Sequence, residues 1–126
     1  MKKKWSRNWK SSKQPRKQRK YLFNAPLHIA RKFMSVRLSK ELKQKHSKRN
    51  FPVRKSDKVK INVGQFKGKI GKVDSVDIKH RRVYIEEIFI TKKDGNKVRF
   101  SFHPSNLTIL ELNLEDKLRR KAIERK

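Results

Sequence analysis

The residues of this sequence best suited to chemistry are lysines interleaved with glycines between two apolar runs. They are Gly64, Lys67, Gly68, Lys69, Gly71 and Lys72. Glycine adopts positive φ and lets another backbone approach closely, and ammonium groups attract phosphate. This segment, the Gly–Lys loop, can therefore offer backbone N–H groups and positive charge to a phosphate. A plain glycine-rich hairpin with solvated lysines is the alternative that the spacing leaves open.

The residue types that catalysis requires are absent or badly spaced. The chain has no Cys, which excludes disulfides, thiolate zinc sites and Cys nucleophiles. It has no Gly-x-Ser-x-Gly elbow and no glycine-rich loop that ends in Gly-Lys-Ser/Thr. Its histidines lack metal-ligand spacing, and a strand would point Glu86 and Glu87 to opposite faces. We therefore expect neither an enzyme nor a cofactor nor a metal site.

Positive charge dominates the composition. The 126 residues include 38 Lys and Arg against 11 Asp and Glu, which gives a formal net charge of +27. Because such a chain repels itself when compact, we expect a polyanionic partner, with nucleic acid as the first candidate. The chain has no apolar run of about 18 residues and no apolar core of a signal peptide near its start. We expect a cytoplasmic protein with no membrane partner and no small-molecule substrate.

Charge and apolar content divide the chain into three segments. Residues 1–50 hold 18 basic residues and one acid, and Leu, Ile, Val and Phe make up only about 16% of them, which is typical of disorder. In residues 51–112 the same four types reach about 35%, which is enough for a core. We predict a basic extension with short helices over 1–50, a folded domain over 51–112 and a basic C-terminal helix or tail over 113–126. Only residues 52–112 are expected to fold alone.

The middle segment has the alternation typical of short strands. Apolar and polar residues alternate over 58–63 and 97–102, and further strand-like runs occupy 73–78, 83–90 and 107–112. The run over 83–90 changes phase at its two adjacent glutamates. Turn residues separate the runs. Four or five short antiparallel strands predict a mainly β fold, a small SH3-like barrel that closes its own edges.

Helix signals occur in both flanks. Pro26 stands at a first helical position before apolar residues at helical spacing, which predicts a short basic helix over 27–36. Ser39 is suited to cap a second helix, and Asn113 a third. Arg119 and Arg120 would then interact with the negative end of the third helix.

Four aromatic residues lie among the basic residues of the extension: Trp5, Trp9, Tyr21 and Phe23. Aromatic rings can stack on unpaired bases, which is a common way to bind single-stranded nucleic acid. Packing of these rings against the barrel or a neighbouring protein is the alternative. The sequence leaves both open.

The Gly–Lys loop resembles the KOW motif at Lys67-Gly68 and at Gly71-Lys72-Val73. Blocks around it are similar to the large-subunit ribosomal proteins numbered twenty-four in the universal scheme and twenty-six in eukaryotes, of the archaeal and eukaryotic type. The resemblance covers residues 12 to about 126, with residues 1–11 outside it. The blocks are Lys13 to Lys20, Asn24 to His28, Leu38 to Leu42, Pro52 to Lys55 and His103 to Asn106.

The resemblance implies an SH3-like barrel with basic extensions that serves as a structural constituent of the large ribosomal subunit, in translation. It also implies early, direct binding to the 5′ domain of large-subunit ribosomal RNA, near the polypeptide exit tunnel and neighbouring ribosomal proteins. Lys and Arg on phosphates would supply affinity, and the shape of folded RNA would supply specificity. The residues expected to contact RNA are Lys10, Lys13, Arg16, Lys17, Arg19, Lys20, His28, Arg31, Lys32, Arg37, Lys40, Arg49, Arg54, Lys55, Gln65, Lys67, Gly68, Lys69, Lys72, Arg81, Arg82 and His103.

Two other functions share the charge: a KOW module of a transcription elongation factor, and a general basic nucleic-acid-binding protein that compacts DNA. An elongation factor normally carries a separate α/β domain that binds polymerase, and we expect none beside the basic extension. A DNA-compacting protein does not require the ordered Asn-Ala-Pro and His-Pro-Ser turns.

Overall fold

The computed structural model describes residues 3–125, so Met1, Lys2 and Lys126 of the predicted basic segments lie outside the described part. The chain divides into two compact units, Met1–Phe33 and Met34–Lys126. The predicted boundary lay after residue 50. The boundary in the structure lies earlier because residues 34–38 contribute a strand and buried side chains to the second unit.

The first unit is helical. Helix α1 begins at Pro15, whose fixed φ suits a first helical position. The sequence pattern gives no clear signal for α1, because its lysines and arginines show no apolar periodicity, although both residue types favour helices. The elements of this part of the chain are a 3-10 helix, α1, α2 and a second 3-10 helix that leads into the second unit: Arg7–Ser11, Pro15–Phe23, Leu27–Ala30 and Arg31–Met34.

The second unit is a seven-stranded sheet with the order β2-β1-β7-β3-β4-β5-β6. Neighbouring strands are antiparallel, except that β1 and β7 are parallel. The strands are β1 (Ser35–Leu38), β2 (Asn50–Pro52), β3 (Lys58–Ile61), β4 (Ile70–Asp77), β5 (Arg82–Thr91), β6 (Lys97–Phe102) and β7 (Leu107–Glu111). Helix α3 (Lys40–His46), a 3-10 helix (Pro104–Asn106) and helix α4 (Lys117–Glu124) complete the unit. The sheet fits a small β-barrel-like domain, and the prediction of a mainly β fold with a helical N-terminal part and a short C-terminal helix is confirmed.

The core of this unit follows the predicted alternation along β3 and β7, whereas Val63 and Val98 of the predicted alternating runs are exposed. β3 buries its apolar residues and exposes the lysine between them, and β7 alternates in the same sense. The buried cluster consists of Met34, Val36, Leu38, Val53, Val59, Ile61, Val73, Val83, Ile85, Ile88, Phe102, Leu107 and Ile109. Among residues 3–125, no helix has the length and apolar composition needed to cross a membrane.

Strand β5 contains the predicted change of phase. Ile85 and Ile88 are both buried although they are three residues apart. Glu87 has a φ of 63°, and the pairing with β6 shifts register between Tyr84 and Phe89. Between these two pairs, residues 85–88 of β5 lie opposite a single residue of β6, Phe100. Such a bulge bends the strand, and it lets Ile85 and Ile88 both join the buried cluster.

Two helix predictions need correction. The helix predicted over 27–36 is too long, because α2 ends at Ala30 and the chain is extended from Ser35. Val36 and Leu38 alternate with an exposed Arg37, and β1 pairs with β2 and β7, which outweighs the helical spacing before it. The last helix is capped by Asp116 instead of Asn113. The cap predicted for α3 is present, since the Ser39 hydroxyl accepts from Leu42 N–H at 3.4 Å.

A buried ion pair attaches α4 to the sheet. The two terminal nitrogens of Arg119 each donate to one carboxylate oxygen of Asp57, both at 2.6 Å. Arg119 also donates to the carbonyls of Asn113 and Pro52, and Asp57 accepts from the backbone N–H groups of Arg54 and Asn113. The terminal nitrogens of Arg119 and both oxygens of Asp57 have well-placed hydrogen bonds, so the pair tolerates burial although Arg119 Nε has no hydrogen-bond partner among residues 3–125. The strong, directional contacts determine where α4 docks.

Candidate nucleic-acid interface

The first unit presents a helix surface with a high positive charge. Residues 3–33 contain no Asp or Glu. Helix α1 is held at its start by Gln18, whose side-chain amide donates to Ser12 O at 2.7 Å. Every predicted contact residue on and before this helix is exposed, so these side chains can reach phosphates: Lys10, Lys13, Arg16, Lys17, Arg19 and Lys20.

The aromatic residues of this unit mostly pack on one another. Trp5 stacks on Tyr21 with ring centroids 5.5 Å apart, and its indole N–H donates to Tyr21 O at 3.1 Å. Phe33 meets the edge of Tyr21 at 5.8 Å. Lys20 Nζ lies 5.4 Å from the ring centre of Trp9. Of the four aromatic residues that the sequence singled out, Phe23 alone is largely exposed, at 80%.

The segment that follows α1 continues the basic surface. Its predicted contact residues are exposed: His28 on α2, and Arg31 and Lys32 in the 3-10 helix. In the second unit, Arg37 of β1 pairs with Asn50, and the Arg49 carbonyl accepts from Leu38 N–H at 3.1 Å. Arg37 and Arg49 therefore lie close together, and both are exposed, as is Lys40 at the start of α3.

The Gly–Lys loop connects β3 to β4, and its last two residues, Gly71 and Lys72, belong to β4. Gly68 N–H donates to Ile61 O at 2.8 Å, and Lys67 N–H donates to Gly64 O at 3.1 Å. Gly68 has a φ of 88°, a left-handed conformation that glycine adopts without steric cost. Gly71 serves close packing instead, because a Cβ there would lie 2.6 Å from Ile85 Cγ2 of β5.

Phe66 anchors the Gly–Lys loop from within. Its ring packs against Phe100 and Phe102 with centroid distances of 5.2 and 6.1 Å, and Lys69 Nζ lies 5.2 Å from the Phe66 ring centre. Because Phe66 packs on these two rings, the apolar side chain of the loop points inward and the polar side chains of the loop stay exposed. The predicted contact residues between the ends of β3 and β4 are all exposed: Gln65, Lys67, Gly68 and Lys69.

The sheet brings this loop next to two other predicted contact segments. The register of β5 and β6 pairs Val83 with Phe102, which places Arg82 opposite His103. The Gly–Lys loop reaches the same region because Phe66 packs on Phe102. Seven predicted contact residues from three separate parts of the sequence thus form one group, the loop cluster: Gln65, Lys67, Gly68, Lys69, Arg81, Arg82 and His103. All are exposed except Arg81, which is half-buried and has a φ of 54°.

His103 is held in one orientation within the loop cluster. Its Nδ1 accepts from Ser105 N–H at 3.3 Å and lies 2.8 Å from the Ser105 hydroxyl. A neutral ring therefore carries its proton on Nε2. The exposed Nε2–H is a donor for a phosphate or a ribose hydroxyl.

The remaining predicted contacts lie where β2, β4 and α4 meet. Ser56 N–H donates to Val73 O at 2.9 Å, which brings Lys55 near Lys72. Both lysines are exposed. Arg54 differs from them, because its guanidinium pairs with Asp116 at 2.5 Å. A phosphate would have to compete with that carboxylate for Arg54.

Two exposed carboxylates of the second unit have lowered pKa values. The side-chain hydrogen bond from Arg54, with help from Leu118 N–H, lowers the pKa of Asp116 below its ordinary value. Hydrogen bonds from the ring and backbone N–H of His80 lower the pKa of Asp77 at the end of β4. Both groups are therefore ionised near neutral pH. Across residues 3–125, no group of His, Asp and Glu side chains is arranged to hold a metal ion.

The ion pair between Asp57 and Arg119 is the structural feature that the sequence analysis missed. Arg119 was interpreted as a charge near a helix end, but it is nearly fully buried. A signal was present, since Asp57 is the only acid between residues 42 and 73. A single carboxylate in so basic a segment is a candidate for a buried partner of one particular cation.

Comparison with known proteins tests the resemblance. The sequence profile of the family described as eukaryotic ribosomal proteins L26 and their archaeal counterparts, L24, matches residues 12–126. The chain belongs to this family. The large ribosomal subunit protein uL24 of Methanosphaera stadtmanae is 50% identical over 115 residues, which cover 91% of this chain and 98% of that protein. The uL24 of Nanoarchaeum equitans is 48% identical over 120 residues, covering 95% of this chain and 81% of that protein.

Membership of this ribosomal protein family supports a structural role in the ribosome and confirms that the chain is not an enzyme. The matched region contains most of the first unit and all of the second. The family resemblance inferred from the KOW motif and its flanking blocks is confirmed.

Proposed function

We propose that this chain is a structural constituent of the large ribosomal subunit that binds large-subunit ribosomal RNA directly through both units. The proposal rests on the family match over residues 12–126, because the two similar archaeal proteins are named as large ribosomal subunit proteins. The structure supports it independently, because every predicted contact residue is exposed except the half-buried Arg81. Neighbouring large-subunit proteins are the second class of partner.

The two units suit different parts of this task. The first unit carries twelve basic residues and no acid, so it contributes affinity through neutralised phosphates and released counterions. The loop cluster is held by the sheet and by Phe66, so its donors keep fixed positions. Donors at fixed positions can recognise the shape of folded RNA.

The resemblance to the family leads us to propose a finer location. The RNA bound would be the 5′ domain of large-subunit ribosomal RNA, and binding would occur early in assembly. The site would lie near the polypeptide exit tunnel of cytoplasmic ribosomes.

Sedimentation and footprinting test this proposal. We expect the chain to co-sediment with large subunits in a sucrose gradient and to protect nucleotides of the 5′ domain from hydroxyl radicals. Sedimentation with RNA polymerase or with bulk DNA, and not with the subunit, would overturn the proposal in favour of an elongation factor or a compacting protein.

A charge-reversal pair tests the role of the loop cluster. We expect Lys67→Glu with Lys69→Glu to weaken binding to the 5′ domain by more than about tenfold, because two phosphate contacts become repulsive. The matched control is Lys92→Glu with Lys93→Glu, which makes the same charge change in the exposed turn after β5. Equal losses from both pairs would mean that the loop cluster contributes charge alone and no shape recognition.

A further inference from the structure

Phe23, at the end of α1, is a large apolar side chain that the fold leaves uncovered. It is 80% exposed, whereas Tyr21, two residues earlier, is buried. Among residues 3–125 we find no aromatic ring or cation stacked on Phe23, although Trp5, Trp9, Tyr21 and Phe33 all make such contacts. The ring is therefore accessible.

The side chains around Phe23 on the helix are all positively charged. At about 100° per residue, Arg16, Arg19 and Lys20 lie within about 20°, 40° and 60° of Phe23, while Tyr21 lies about 160° away. Helix α1 therefore has one face packed by Tyr21 and an opposite face on which three cations lead to an exposed aromatic ring. With no acid in residues 3–33, this face has no negative charge of its own.

We propose that Phe23 is a stacking platform for an unpaired base of RNA. The inference rests on the proposed function and deepens it. A ring at the end of a basic stripe is the arrangement by which proteins hold single-stranded nucleic acid, because cations follow the backbone while the ring takes a base. The charge decides between occupants, since a protein covering this face would need enough acidic residues to neutralise three cations, while RNA supplies phosphates next to every base.

The test measures binding of the full chain to two RNAs with equal numbers of phosphates, an oligoadenylate single strand and a blunt duplex. We expect Phe23→Ala and Phe23→Leu to weaken binding to oligoadenylate by about five- to 150-fold, the range for one stacked base. Binding to the duplex should change less than about twofold, and the salt dependence should stay the same because no charge is removed. Phe23→Trp should retain the affinity.

Leu27→Ala is the matched control, because Leu27 is also largely exposed and lies four residues from Phe23. It should bind both RNAs like the unaltered chain. The exposure of Phe23 means that its replacement should leave the fold intact, which circular dichroism can verify.

Several outcomes would overturn the inference. One is Phe23→Leu binding oligoadenylate as tightly as the unaltered chain, because an aliphatic side chain would then suffice. Another is unchanged RNA binding by all Phe23 variants together with loss of co-sedimentation, which would assign Phe23 to a protein neighbour. Binding of the unaltered chain to the duplex but not to the single strand would remove the stacking role and leave the proposed function standing. Binding to neither RNA would remove both.

Discussion

At the scale of single residues, the ion pair between Asp57 and Arg119 is the contact whose loss should cost the most stability. Arg119→Met leaves a buried carboxylate without its counter-charge, and such losses typically cost about 3 to 5 kcal/mol. Chemical denaturation measures the free energy of unfolding. Arg120→Met is the control, because Arg120 is the exposed neighbour of Arg119, and we expect it to cost less than about 0.5 kcal/mol.

The double variant Asp57→Asn with Arg119→Met should lose less stability than the sum of the two single variants, because it leaves no uncompensated charge. Strictly additive losses would show that the two side chains act independently, in conflict with their bidentate contact.

Two glycines of the Gly–Lys loop should respond differently to alanine. In Gly71→Ala the new Cβ would lie 2.6 Å from the buried Ile85 side chain, so we expect a loss of about 1 to 3 kcal/mol with little change in RNA affinity of the folded protein. In Gly68→Ala nothing lies within 4 Å, but the positive φ costs about 1 to 2 kcal/mol. We expect this second variant to weaken RNA binding, because the Gly68 backbone would approach phosphate.

Melting curves and RNA titrations of both glycine variants provide the check. Unchanged RNA affinity in a folded Gly68→Ala variant would reduce the Gly–Lys loop to a plain turn.

At the scale of elements, the attachment of α4 should depend on pH. Asp116 caps α4 by accepting from Leu118 N–H at 2.8 Å and pairs with Arg54. Because these contacts lower its folded pKa, Asp116 stabilises the fold above the ordinary carboxyl pKa of about 3.9, and this contribution is lost as the pH falls through the lowered value. We expect Asp116→Asn to melt below the unaltered chain near neutral pH.

The melting temperatures of Asp116→Asn and the unaltered chain should converge as the pH falls below the lowered folded pKa of Asp116, once the carboxyl group is protonated. Asparagine is itself a good N-cap, so this variant isolates the charge from the cap. A difference in melting temperature that persists at low pH would mean that the carboxylate acts only by its shape.

At the scale of the whole molecule, affinity and folding should separate between the two units. Deleting residues 1–33 removes twelve of the 38 basic residues and none of the buried cluster, which begins at Met34. The slope of log affinity against log salt should flatten by about 4 to 5 if half of the twelve contact phosphate, while residues 34–126 still melt cooperatively. A salt titration of both forms on the 5′ domain measures the slope.

The deletion has a contrasting control. Removing residues 1–50 also deletes β1 and its pairing with β7, so we expect the shorter fragment to lose the cooperative transition, although composition alone predicts that residues 52–112 fold by themselves. An unaltered slope after removal of residues 1–33 would show that the second unit supplies the binding.

Much of the fold and of the candidate interface can be predicted from the sequence, because these features depend on residue types and spacing within short stretches of the chain. The alternation of apolar and polar residues predicted β3, β6 and β7. The adjacent glutamates indicated the bend in β5, and Ser39 indicated the start of α3. Solvation keeps lysines and arginines at the surface, so the exposure of the predicted contact residues followed from their type. The blocks around the KOW motif were enough to indicate the family.

Tertiary structure decided what depends on contacts between distant residues. β1 is short, and the residues before it have helical spacing. Its pairing with β2 and with β7 makes it a strand. Arg119 has the same local sequence signals as its exposed neighbours, but the position of Asp57, 62 residues earlier, buries it. The same holds for the aromatic residues, because Trp5 and Tyr21 are covered by each other while Phe23 lies on the opposite face of α1. Composition by itself predicts a polyanionic partner, because the net charge follows from residue type. Packing determines which side chains are available to contact such a partner.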